Sequence, residues 1–189
     1  DGVKAWSTSG TPVDCVKLAV YEIMHRKPDL VLSGVNHGSN SSINVIYSGT
    51  MSAAVEGAVE GIKSIGFSLL DHDANADFEP SRPYINTLIK HVLKNTMPNG
   101  TCLNVNIPKG KINGLKICRQ ARGYWEDSFE VRKDPMKNNY YWLKGDFILL
   151  DQGEDTDIRA LDNGFISVVP TQFDMTAHHA IANLNTWGL

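Results

Sequence analysis

The sequence predicts an α/β fold built on a parallel sheet. Three observations carry the expectation. Short apolar runs stand at 29–32 and 64–70, an Ala- and Gly-rich helical pattern starts near Thr50, and a polar loop, Ser33 to Thr50, joins the first run to that helix. Strand, loop, helix, strand in this order is one βαβ unit, whose crossover is right-handed in nearly all cases. A chain of 189 residues is long enough for one domain with a sizeable core.

The elements follow in order. Thr11 is suited to cap a helix and Pro12 to its first turn. Val13, Val16, Ala19, Val20 and Ile23 recur at helical spacing, so 12–26 reads as a helix with one buried face, stopped by Pro28. Asp29 to Leu32 reads as a strand buried on both sides. Behind the polar loop, Ala53, Ala54, Gly57 and Ala58 form a very small helix face that allows close approach to the sheet. Gly61 reads as the helix end. Ser64 to Leu70 is the next strand. Residues 71–79 are acidic and polar, and Pro80 opens a helix whose apolar face is Tyr84, Leu88, Ile89, Val92 and Leu93. Thr101 to Ile107 and Leu115 to Arg119 read as strands, and Tyr140 to Leu150 as a strand rich in aromatics. Thr156 to Asn163 reads as a helix stopped by Gly164. Phe165 to Val169 is a last strand before Pro170, and Asp174 to Leu184 a last helix. The reading divides the chain at about residue 114: 1–114 as the body, 115–189 as hairpins and an arm that return to it.

Composition narrows the function. The hydrophobic fraction is 42% and the formal charge −3, with a pI near 6.1, which gives no electrostatic reason to expect a nucleic acid polymer as partner. No run approaches the ~18 apolar residues of a membrane span, so no membrane partner is expected. The three cysteines, Cys15, Cys102 and Cys118, are odd in number and not closely paired, which argues against a disulfide framework and makes a reducing, cytoplasmic setting the default. Cys15 and Cys102 read as small core residues.

The segment 33–50 concentrates the chemistry. A loop at the carboxyl end of a parallel strand is the usual ligand position of open α/β sheets. Asn36 offers a carbonyl oxygen for a hard cation or an amide donor for a phosphate. Gly34 and Gly38 let the backbone approach a ligand closely. Ser48, Gly49 and Thr50 lie at the mouth of the next helix, where free N–H groups and hydroxyls suit phosphate oxygens. The bland alternative is that Asn and Ser here only build turns and caps. His37 suits an acid, base or hydrogen-bonding role. His178 and His179 lack zinc-protease spacing, and His25, His72 and His91 read as solvated. Asp71, Asp73 and Asp77 read as a solvated acidic loop, and Lys63 and Lys109 as surface charges. No carboxylate falls within 33–50, although magnesium and manganese sites usually need them.

The stretches SGTPVDCVKLAV, KPDLVLSGVNHGSN and VIYSGTMSAAVEGAVEGIKSIGFSLL, with LNVNIP at 103–108 and TDIRALDNGFISVVPTQFDMT at 156–176, closely resemble the SurE family. The resemblance covers most of the chain. It implies a Rossmann-like three-layer α/β/α body with a C-terminal hairpin and an oligomerisation arm forming homodimers or homotetramers. It implies a divalent-metal phosphatase, using magnesium or manganese, acting on nucleoside 5′- and 3′-monophosphates and in some members on short polyphosphate. Asn36 falls on the metal-binding asparagine, and Gly34, Asn40, Ser48, Gly49 and Thr50 on the phosphate-side loop. The family's opening strand and its TNDDG motif have no counterpart in the sequence, so three further metal ligands are expected upstream of Asp1. The rival readings are a non-catalytic nucleotide or phosphate binder and a structural oligomer subunit, for which Tyr124, Trp125, Tyr140, Tyr141 and Trp142 would be interface anchors.

Overall fold

A computed structural model describes residues 2–188. A five-stranded mixed sheet runs through it in the order β1-β2-β3-β7-β4. The strands are β1 (Leu30–His37), β2 (Lys63–Leu69), β3 (Thr101–Ile107), β4 (Gly114–Ile117) and β7 (Phe165–Gln172). β1, β2 and β3 are parallel, β7 is antiparallel to β3, and β4 is parallel to β7. Helix α3 (Arg82–Lys94) covers one face, over Ile65, Phe67, Val105, Ile107 and Ile166. Helix α2 (Gly49–Val59) covers the other, with Met51, Ala54 and Ala58 against Cys102. Helix α4 (Asp157–Asp162) packs beside β7 through Ala160 and Val169. This is the expected layering.

The small face of α2 has a direct cause. A Cβ on Gly57 would sit 3.0 Å from Cβ of Ser64 and 3.1 Å from Cβ of Val31. Any larger residue would lift the helix from the sheet. Gly61, at φ +67°, ends α2.

Several expectations are corrected. The first helix, α1 (Pro12–Leu18), has the predicted cap, with Thr11 and Asp14 closing a capping box. It ends early, in a π-type turn at Ala19–Ile23. Cys15 is exposed, because the buried side of α1 turns Val16 inward. Among the described residues β1 stands at one end of the strand order, and it continues through Ser33–His37, so part of the expected loop is strand. Leu93 is exposed, while Ile85, also on α3, packs against the core. β7 continues through Pro170. β4 pairs only with Phe165–Val168, so the proline lies where one edge is open, the setting in which a strand tolerates it.

From this body projects a two-stranded ribbon, β5 (Gly123–Lys133) with β6 (Asn139–Leu149). The sequence signalled β6 but left β5 as a charged, aromatic segment. The last helix, α5 (His178–Leu184), is shorter than expected. Among the described residues no helix is long and apolar enough to cross a membrane.

Three acidic residues fasten the root of the ribbon to the body. Asp157, fully buried, accepts from the backbone N–H groups of Ser42 (2.8 Å), Ala121 (2.9 Å) and Ile158 (2.8 Å). It thereby joins the loop after β1, the chain entering β5 and the start of α4. Arg119 binds Asp151 through both guanidinium NH2 groups and Asp155 through Nε at 2.8 Å. The Arg119 guanidinium, helped by the Gly153 N–H, holds the Asp151 carboxyl far below its ordinary value of 3.8.

Asp157→Ala leaves three backbone donors without an acceptor and should cost about 3 kcal/mol, read as a loss in denaturant unfolding free energy. The carboxyl of Asp151 is depressed by folding, so its stabilisation is complete above pH 3.8 and is lost as pH falls through the lower folded-state value. Tryptophan fluorescence followed on acidification should show a transition below pH 3.8, moved upward toward that value in Arg119→Gln.

Candidate active site

At the carboxyl ends of β1, β2 and β3 the sheet carries a buried polar row. In register across the strands stand Asn36, Ser68, Asn106 and Ser167. The loop after β1 folds back over this row. Ser68 Oγ donates to Asn36 Oδ1 at 2.6 Å. Asn40 donates its side-chain amide to Ser68 Oγ and, at 3.5 Å, to Asn36 Oδ1. The Asn40 backbone N–H donates to Asn106 Oδ1 at 2.7 Å, and Asn104 Nδ2 donates to the Asn40 carbonyl at 2.7 Å. Asn106 Nδ2 donates to Asn104 Oδ1 at 2.9 Å. Buried amides are tolerated because each is bonded.

This lattice seats the loop, whose next part is a 3-10 turn at Ser42–Tyr47. The turn delivers Ser48 to the head of α2, where its hydroxyl accepts from the Met51 N–H at 3.0 Å. The N–H groups of Gly49 and Thr50 lie in the first helical turn, where no intrahelical acceptor exists. They share one open cavity of about 310 Å³ with Asn36, His37 and Asn40. Fixed donors and a helix N-terminus favour an anion there.

Of the residues expected from the sequence, Asn36, His37, Asn40, Ser48, Gly49 and Thr50 line this cavity; Gly34 does not. Gly34, at φ +97°, lies where β1 and β2 change register, and a Cβ there would collide with the Phe67 carbonyl oxygen. Its smallness serves the strand. Gly38, at φ +94°, lies against the ring of His72: its Cβ would be 2.7 Å from Cε1. His72 therefore reaches the cavity wall, which its polar sequence context concealed.

His37 is held by two contacts. Its Nδ1 lies 2.9 Å from the Asp71 carbonyl oxygen, and its ring meets Phe78 edge-on at 5.1 Å. With Nδ1 bonded to a carbonyl, the neutral ring carries its proton there and leaves Nε2 as an acceptor. Asp71 is itself paired with Lys109 at 3.0 Å. Its carboxyl is lowered first by the Asp73 N–H, then by Lys109. His178 lies elsewhere, paired with Asp174 at 3.1 Å.

Besides His72, sequence reasoning missed Ser68, Asn104 and Asn106. A signal was present: LNVNI alternates apolar side chains with asparagines, and an amide repeated along a core strand implies a bonded polar face.

The donor set does not by itself fit a divalent cation. Asn36 Oδ1 is a suitable neutral ligand, but it already accepts from Ser68. The cavity wall holds no carboxylate. Among the described residues no three His, Cys, Asp or Glu side chains come together to hold a metal.

Comparison with known proteins agrees with the architecture. The family model described as Survival protein SurE matches residues 1–127. A 5′-nucleotidase SurE from Christiangramia forsetii is 62% identical, the match covering 98% of this chain and 73% of that protein. The one from Flavobacterium psychrophilum is 64% identical over 99% of this chain and 74% of its own length. The crystal structure of the SurE protein from Aquifex aeolicus superposes with a TM-score of 0.80 at 36% identity, over 96% of this chain and 74% of that one. The chain belongs to the SurE family of metal-dependent phosphatases.

Proposed function

We propose that the cavity at the end of β1 hydrolyses nucleoside 5′- and 3′-monophosphates and releases phosphate. Family membership carries phosphomonoester hydrolysis, and several relatives are named 5′-nucleotidases. The observation that carries the reading for this chain is the meeting of Asn36, His37 and the head of α2 on one cavity.

In this reading the N–H groups of Gly49 and Thr50, with the Thr50 hydroxyl, take two oxygens of the phosphoryl group. They stabilise the charge that spreads over it during transfer. The amide of Asn40 and the row beneath it keep Asn36 from rotating away, so the groups are set before substrate arrives. His37, fixed through Nδ1, presents Nε2 as the group that holds or moves a proton. Asn36, Gly34, Asn40, Ser48, Gly49 and Thr50 are thus the proposed binding set, with Asn36 and His37 nearest the chemistry and Gly34 acting through the strand.

The cofactor in this proposal is magnesium or manganese. The cavity gives such an ion one neutral ligand, Asn36, and its charged ligands would come from outside the lining residues. Short polyphosphate is a second proposed substrate. The proposed setting is cytoplasmic, and the proposed assembly is a homodimer or homotetramer, supported by the apolar side chains exposed along the ribbon, among them Phe129, Tyr141 and Leu143. We read 1–114 as the catalytic body and 115–189 as the ribbon and oligomerisation segment, with β4, α4 and β7 returning to the body's sheet.

The test is phosphate release from nucleoside monophosphates by the intact protein, with magnesium or manganese and then with chelator. Asn36→Ala should lower kcat/KM about 100-fold, and chelation should abolish turnover. Activity indifferent to both would overturn the assignment. Nucleotide binding without turnover under any metal would favour a sensor.

A further inference from the structure

The sequence holds three Asn-Gly pairs, Asn99-Gly100, Asn113-Gly114 and Asn163-Gly164. We infer that the turn leading into β3 is a site of spontaneous covalent modification, where Asn99 loses its amide to its own backbone while the fold protects the other two pairs. The Gly100 backbone nitrogen attacks Cγ of Asn99. A bond forms between them, the Cγ–Nδ2 bond breaks, and the side-chain nitrogen leaves as ammonia, carrying the proton that the Gly100 nitrogen gives up. Water then opens the cyclic imide at either carbonyl, giving aspartate or isoaspartate. A glycine after the asparagine favours the attack, because no side chain crowds the nucleophile or restricts its backbone. The step needs water alone and no enzyme.

The three pairs share this chemistry and differ in what holds them. Asn163 caps the end of α4. Its side-chain amide donates to the Arg159 carbonyl at 2.8 Å, and the Gly164 N–H, the nucleophile of that pair, donates to the Leu161 carbonyl at 2.9 Å. Asn113 donates its side-chain amide to the Asn163 carbonyl at 2.9 Å and its backbone N–H to the Gly164 carbonyl at 2.8 Å. Gly114 opens β4, in register with Phe165. These two pairs therefore lock one another. Asn99 is exposed. Among the described residues, neither its side-chain amide nor the Gly100 N–H has a protein partner. The turn is closed by one bond, from the Thr101 N–H to the Pro98 carbonyl at 3.2 Å. Gly100, at φ +74°, takes the third place of a type II turn. Here the attacking nitrogen and the amide carbon meet with no hydrogen bond of their own to break.

The two products act differently on the surrounding structure. Asn99 lines a hollow of about 250 Å³ together with Lys63, whose ammonium donates to the Leu93 carbonyl at 3.1 Å. Aspartate at this position brings a carboxylate to the same hollow as that ammonium and leaves the backbone unchanged. Isoaspartate routes the main chain through the side-chain carbon and so lengthens the turn by a methylene. The turn has little room for it. A Cβ on Gly100 would lie 3.1 Å from Cε1 of Phe173, and Thr101 already stands in register with Gln172 of β7. The added length therefore works against the first rung between β3 and β7, on the strand that carries Asn104 and Asn106.

The test incubates the intact folded protein at neutral pH, digests samples over time, and follows the three Asn-Gly peptides by mass, with a parallel incubation in denaturant. In the folded protein the peptide bearing Asn99 should exchange its amide for a carboxyl about tenfold or more faster than the other two, since hydrogen bonds must open first at Asn113 and Asn163. In denaturant that advantage should disappear. Asn99→Gln, whose longer side chain closes the ring poorly, should remove the acidic species that accumulates on ion exchange. The isoaspartate fraction should unfold at lower denaturant than the aspartate fraction. Equal rates at the three pairs in the folded protein would overturn the inference, as would faster loss at Asn113 or Asn163. So would an intact Asn99 after a time in which the denatured chain is converted, or an acidic species that persists in Asn99→Gln. Equal unfolding midpoints for the two products would overturn the coupling to β3.

Discussion

The constraint on which the rest depends is the need to satisfy a row of amides buried at the end of the sheet. Asn104 and Asn106 are as hidden as the core valines around them. An unbonded amide in such a place costs about 1–3 kcal/mol, a sizeable part of a domain's net stability. Only the loop after β1 brings matching groups, through the backbone and side chain of Asn40. The sheet thus dictates the path of the loop, and the loop dictates where α2 begins. Positioning of the anion-binding donors follows from core chemistry several residues away.

A second set of polar anchors works at the other side of the loop. Asp157 receives Ser42 at the same moment as Ala121, so the entry to the ribbon and the start of the 3-10 turn share one acceptor. The Ser42 hydroxyl adds a bond to the Ala121 carbonyl at 2.9 Å. The ribbon is therefore tied to the loop that carries Tyr47 and Ser48. Trp125, bonded to Asn44, repeats the tie at the surface.

How much of this was legible in the sequence can be judged element by element. The βαβ unit was legible because apolar runs and small-residue periodicity are local signals, and the capping box at Thr11 and the stops at Gly61 and Gly164 are local too. The continuation of β1 through Ser33–His37 was not, because Ser33, Gly34, Asn36 and His37 carry no apolar strand pattern. β5 escaped because its face alternates around charges such as Glu126, Asp127 and Glu130. Of the site, the lining residues from Asn36 to Thr50 were legible as a dense polar loop. The amide row beneath them was not, since its members meet only through strand register. His72 was hidden for a related reason: its approach depends on the backbone of Gly38, in a different loop.

The thiols illustrate a practical consequence of the same packing. Burial pushes Cys102 up to about 11 and raises Cys118 as well, so neither offers a ready thiolate. Cys15 stands in the open on α1, one turn from Pro12, whose ring packs at Gly49. The fold has thereby left a single accessible handle beside the doorway of the cavity. An environment-sensitive dye coupled to it would report on the anion-binding helix end without any engineered cysteine.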